Sequence, residues 1–140
     1  MSKLTWIIAI VFFIHAVGHI MCIMPALGFN ASPGWDSTSW LLTDLIGQRA
    51  TNVVGVVIWL IAIVGFLMAA LALLGWGVPH AWWRQLAVVS AVVSLIGIVL
   101  FWNAFAAFFN QAGAITVDLA VLIGLLVLHW PTEQQLIVNS

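Results

Sequence analysis

The sequence predicts an all-α integral membrane protein: a four-helix bundle, up-down-up-down, with a short interfacial amphipathic segment between helices 1 and 2. Three observations carry this reading. Of 140 residues, 65% are hydrophobic and 5% are charged, against ~25% charged in an ordinary soluble domain. The mean hydropathy of +1.23 belongs to a chain whose solvent is lipid. The apolar runs are continuous rather than alternating, which argues against a transmembrane barrel. No low-complexity tract or long linker divides the chain, so residues 1–140 read as a single transmembrane domain.

Each span needs ~20 mostly apolar residues. Span one is expected at about 4–28, from Leu4 to Gly28, with Lys3 on its flank and Pro25 ending or kinking it. A secretory signal is the rival reading. The run is too long for a signal core and carries two histidines in its middle.

Asn30, Ser32, Pro33 and Gly34 are turn formers that open the longest polar stretch. An interfacial helix is expected at about 35–47, capped by Asp36 or Ser37 and stopped by Gly47. Span two is expected at about 53–76, ending at the Gly75-Trp76-Gly77-Val78-Pro79 breaker. Span three is expected at about 85–109 and span four at about 112–130, with Pro131 as the stop. The connection around Asn110-Gln111 is short, which makes spans three and four antiparallel neighbours.

The charges are few but placed. With only 3 Lys+Arg there is no basic patch, so no nucleic-acid partner is expected. Lys3 and Arg84 fall on one side and Arg49 on the other. The positive-inside rule then puts both termini in the cytoplasm, in a membrane of the bacterial cytoplasmic type. Trp6, Trp76, Trp82, Trp83 and Trp130 fall at span ends on the inner side, as an aromatic belt does. Trp59 and Trp102 fall nearer the outer side.

Small residues recur on span two (Gly55, Ala62, Gly65, Ala69) and span three (Ser90, Ser94, Gly97). Such stripes let helices approach closely in lipid. They serve either an oligomer interface or packing inside the bundle. The single cysteine, Cys22, permits no intramolecular disulfide.

The site candidates are the polar groups that a membrane should exclude. Asp at a helix centre costs about 2.5–3.5 kcal/mol on insertion scales and usually faces a partner inside the protein. Here those groups are His15 and His19 in span one, Asn103 in span three, and Asp118 in span four. His129 lies near the end of span four. Counting 1.5 Å per residue from the span ends puts His19, Asn103 and Asp118 at about one depth in the outer half. The interfacial segment, with Asp36 and Asp44, covers that side.

Positions 15 and 19 are i and i+4, so both imidazoles share one helix face. Two histidines at that spacing suit a metal ion, and Asp118 or Asp44 would complete a two-His-one-carboxylate set for Zn or Fe. A tetrapyrrole held by His15 or His19, with Trp102 and Asn103 lining its pocket, is the other cofactor reading. The competing readings are a His19–Asp118 pair that fixes helix register, a proton path along the stripe Asp118, Leu122, Leu125, His129, and acid–base chemistry on a lipid-soluble substrate. There is no phosphate loop, CxxC or nucleophile elbow.

The segments His15-Ala16-Val17-Gly18-His19 and Phe101-Trp102-Asn103-Ala104-Phe105, followed by Gly113, Ile115 and Asp118, resemble a group of small bacterial four-span membrane proteins. That group often reads HGxxH in helix one, W-Asp-Ala before the last loop, and an Asn in helix four. His15 and His19 match it. Asn103 stands where the group tends to have Asp, and Asp118 where it tends to have Asn. The resemblance implies a facing polar pair with its chemistry exchanged, and it brings no settled activity. More distantly, the architecture is similar to the DoxX-like proteins, without their motifs.

The expected function is therefore a small membrane binding or accessory subunit. It would hold a metal or tetrapyrrole at the His/Asp cluster, or dock within a larger complex. A membrane enzyme and a proton or ion conductor are the alternatives. Expected partners are membrane lipids, other transmembrane subunits or a second copy of the chain.

Overall fold

The computed structural model describes residues 1–29 and 34–137, which excludes the turn formers Asn30, Ser32 and Pro33. The described residues contain helices and no strand. The α-helices are α1 (Lys3–Ile23), α2 (Leu42–Ile46), α3 (Gln48–Leu74), α4 (Trp83–Leu100), α5 (Phe108–Leu122) and α6 (Glu133–Ile137). Four helical stretches are long and apolar enough to cross a membrane: Lys3–Leu27, Gln48–Leu74, His80–Leu100 and Phe108–Val127.

The helix boundaries follow from local chemistry. Ser2 caps α1 by accepting from the Thr5 N–H at 3.2 Å. The chain leaves α1 through a 3-10 turn at Pro25–Leu27 and turns at Gly28, whose φ of 82° is left-handed. The α2 helix is only five residues long, well short of the expected 35–47. Ser39, two residues before its N-cap Leu41, accepts from the Leu42 N–H through Oγ at 3.1 Å. Asp36, the expected cap, instead closes a local turn with the Thr38 N–H at 2.8 Å.

The largest difference from the sequence reading is at the end of α4. Apolarity continues to Phe109, yet the helix stops at Leu100. Ser39 Oγ and Trp40 Nε1 donate to the carbonyls of Leu100 and Val99, each at 2.6 Å. Side-chain donors thus satisfy the carbonyls that a helix end leaves open. The connection to α5 is residues 101–107, while Asn110 and Gln111 lie inside α5. It stays apolar because Phe101 and Ala104 are buried in it. The α5 helix ends at Leu122 and passes into a π-helical turn, Ile123–Val127.

Helix α3 is central and packs against α1 and α4, and α5 packs on α4. The small residues are spent inside this packing. A Cβ on Gly97 would lie 2.8 Å from the Trp59 ring, and one on Gly65 would lie 2.0 Å from Ser90 Oγ. Ala62, Ala69, Ser90 and Ser94 are all buried within the chain. The outward faces are the reverse of a soluble bundle: Ile7, Ile14, Val64, Val89 and Phe109 are exposed.

Ser2 and Leu136 meet at one end of the bundle. Leu136 O accepts from Ser2 N–H at 3.1 Å and from Thr5 Oγ1 at 2.8 Å. His80 Nε2 lies 3.1 Å from Glu133 Oε2, and Arg84 Nη2 donates to Pro131 O. Trp6, Trp76, Trp82 and Trp130 are exposed, as belt residues are. Trp83 is not exposed with them: it is 1% exposed and belongs to the core.

Candidate metal centre

His15 and His19 lie on the face of α1 turned toward α3, α4 and α5, because the opposite face carries the exposed Ile10, Ile14 and Val17. The i, i+4 spacing brings their ring centroids to 4.6 Å. Helix α3 supplies the wall behind them. Phe66 meets His15 edge-on at 4.8 Å, and Trp59 stacks on His19 at 5.3 Å. Both aromatic side chains are buried, so the imidazoles sit in a low-polarity cage.

Asp118 reaches this cage from α5 and is fully buried. Its Oδ1 lies 2.9 Å from His15 Nε2. Its Oδ2 accepts from Ser94 Oγ of α4 at 2.5 Å. Ser94 Oγ also lies 3.1 Å from His19 Nε2. The groups form one chain across three helices, His19–Ser94–Asp118–His15. The expected direct His19–Asp118 pair is thus replaced: His15 pairs with Asp118, and His19 reaches it through Ser94. Ser94 was legible only as a small packing residue. The missed signal is its hydroxyl, because a serine in a span is also an interhelical hydrogen-bond donor.

One nitrogen from each histidine and one Asp118 oxygen lie within 4.8 Å of one another. A tetrahedral Zn site with bonds near 2.0–2.1 Å has ligand atoms about 3.4 Å apart. Binding an ion would draw the three side chains closer together than they lie here. Two imidazoles and a carboxylate are the donor set of catalytic zinc and of non-haem iron with positions left open. Beside the cluster, between α1 and α5, is a cavity of about 460 Å³ lined by His15, His19, Gly18 and Gly113 among others. Its rim includes the exposed side chains Ile14 and Phe109, so it opens on the apolar outer surface.

The other sequence candidates lie elsewhere. Asp44 is exposed on α2, outside the group. Trp102 and Asn103 are exposed in the 3-10 turn Trp102–Ala104, because α4 ends before them. The Trp102 carbonyl accepts from Gln111 Nε2 at 3.1 Å. The 460 Å³ cavity is lined instead by Trp35 and Phe105 on that side. His129 is exposed, off the helix, with a left-handed φ of 49°. The π turn and this break end the expected stripe from Asp118 to His129. The other two histidines, His80 and His129, are exposed and lie outside the cluster.

No known protein family, curated protein or solved structure matches the chain.

Proposed function

We propose that this is a small integral membrane binding protein that holds one divalent transition ion, Zn²⁺ or Fe²⁺, at His15, His19 and Asp118. The observation that carries the reading is the convergence of three buried ligand atoms from α1 and α5 within 4.8 Å. A carboxylate buried between apolar helices needs positive charge or several donors to offset its desolvation. A divalent ion supplies the charge, and Ser94 supplies one donor. The aromatic wall of Trp59 and Phe66 keeps competing water away. Three protein ligands leave a coordination position for an external molecule, and the 460 Å³ cavity lies beside it.

In this reading the helices run up-down-up-down across a bacterial cytoplasmic membrane. Lys3 and Arg84, both toward the end of the bundle where Ser2 meets Leu136, support a cytoplasmic side for that end by the positive-inside rule. Lipids and other membrane-spanning chains are its partners. Elemental analysis of detergent-purified protein tests the metal. Near-stoichiometric Zn or Fe that is lost in His15→Ala/His19→Ala supports the site. A transition-metal content unchanged by that double substitution contradicts it.

The cavity also favours a second reading, an enzyme acting on a lipid-soluble substrate. His15, oriented by Asp118, would then be the proton acceptor.

A further inference from the structure

The hydrogen-bond chain fixes which nitrogens the cavity meets. Ser94 has one hydroxyl proton and gives it to Asp118 Oδ2. His19 Nε2 is therefore the donor to Ser94 Oγ. The ionised Asp118 carboxylate can only accept, so His15 Nε2 is the donor to it. Both neutral rings are thus held with the proton on Nε2 and a lone pair on Nδ1. Among the described residues neither Nδ1 has a hydrogen-bond partner, and no side-chain nitrogen or oxygen is sealed off unpaired. Both Nδ1 atoms therefore reach open space, although His19 is only 2% exposed. The open space beside them is the 460 Å³ cavity, which both histidines line.

That cavity is of ligand size; ligand pockets span roughly 300–1,000 Å³. It continues along the α1/α5 seam. A second cavity of about 320 Å³ shares Val11 and Val117 with it and runs toward Pro131. Two glycines keep the first cavity open: a Cβ on Gly18 or Gly113 meets nothing within 4 Å. The imidazoles offer this space two acceptors and no donor.

We propose that the α1/α5 cavity binds a lipid-soluble alcohol or phenol, its hydroxyl donating to Nδ1 of His15 or His19 and its apolar body lying in the seam. Ketones, ethers and hydrocarbons lack the proton that the two lone pairs require. The proposal uses the same histidines as the metal reading but needs neither a bound ion nor turnover.

The test is ¹⁵N NMR of histidine-labelled, full-length protein in nanodiscs containing a chelator, titrated with 4-nonylphenol, 1-decanol or nonylbenzene. A saturable shift of the His15 or His19 Nδ1 resonance is expected with the hydroxyl probes and not with nonylbenzene, while His80 and His129 stay unmoved. A shift with nonylphenol alone assigns an aromatic head; a shift with both assigns a hydroxyl of either kind. Gly113→Leu fills the cavity and is expected to abolish these shifts while leaving metal content as in wild type. Failure of both hydroxyl probes, equal shifts with nonylbenzene, or full response in Gly113→Leu would overturn the proposal. Wild-type protein purified without chelator that carries no transition metal, with the shifts retained, would overturn the metal reading alone.

Discussion

His15 and Asp118 are 103 positions apart in the chain, and the 2.9 Å contact between them is the one hydrogen bond joining α1 to α5 among the described residues. Cavities lie along the same seam, so apolar packing there is incomplete. The polar bridge therefore carries an outsized share of the α1/α5 contact, while α5 is also held on α4. Interhelical hydrogen bonds in membranes contribute about 1–2 kcal/mol at the upper end. His15→Ala is expected to lower unfolding free energy by about that amount. Reversible denaturation in mixed micelles measures it, and an unchanged midpoint would show that α5 docks without the bridge.

Ser94 holds His19 without being one of the three convergent metal-site residues. Outer partners of metal-bound histidines typically matter by 10–100-fold in affinity. Ser94→Ala is expected to weaken Zn²⁺ binding by about that factor, whereas His19→Ala abolishes it. Competition with a chelator of known affinity separates the two. Equal losses in both variants would mean that Ser94 acts as more than an orienting group.

The helix-forming stretches were legible because lipid-length apolar runs are long and continuous. The site was half legible. His15, His19 and Asp118 stood out because ionisable groups in such runs are rare, and helix periodicity set the histidines on one face. Asn103 misled because apolar composition continues past Leu100. The signal that ends α4 comes from Ser39 and Trp40, about sixty positions earlier. Such a long-range cap leaves no trace in local sequence. Ser94 was hidden for a related reason: one small side chain serves both close packing and hydrogen bonding.

Two glycines have opposite surroundings. A Cβ on Gly97 would meet the buried Trp59 ring at 2.8 Å, whereas Gly113 has open space. Overpacking a well-filled interface costs about 1–3 kcal/mol. Gly97→Ala is expected to destabilise by that much. Gly113→Ala is expected to be neutral or stabilising by up to ~1 kcal/mol, through helix propensity. Thermal shift in detergent ranks the pair, and a Gly97→Ala protein as stable as wild type would contradict the described α3/α4 contact.

The α6 latch is expected to respond to acid. Burial pulls the Glu133 carboxyl up, but His80 and Arg84 outweigh it and hold the group below its ordinary value of 4.5. A depressed carboxylate stabilises the folded state above its unfolded pKa and loses that contribution as pH falls through the folded value. Hydrogen exchange in residues 133–137 should therefore be slower, relative to the intrinsic rate, at pH 6 than at pH 3. Glu133→Gln should flatten the difference. Acid-independent protection in wild type would show that Leu136 alone secures the segment.

A Co²⁺ titration of metal-stripped protein in nanodiscs, followed by visible d–d absorption, reads the ligand set of His15, His19 and Asp118. Bands are expected that saturate at one ion per chain and are absent from His15→Ala/His19→Ala and from Asp118→Ala. Wild-type protein that develops no saturable bands, or bands that survive the double substitution, would contradict that ligand set.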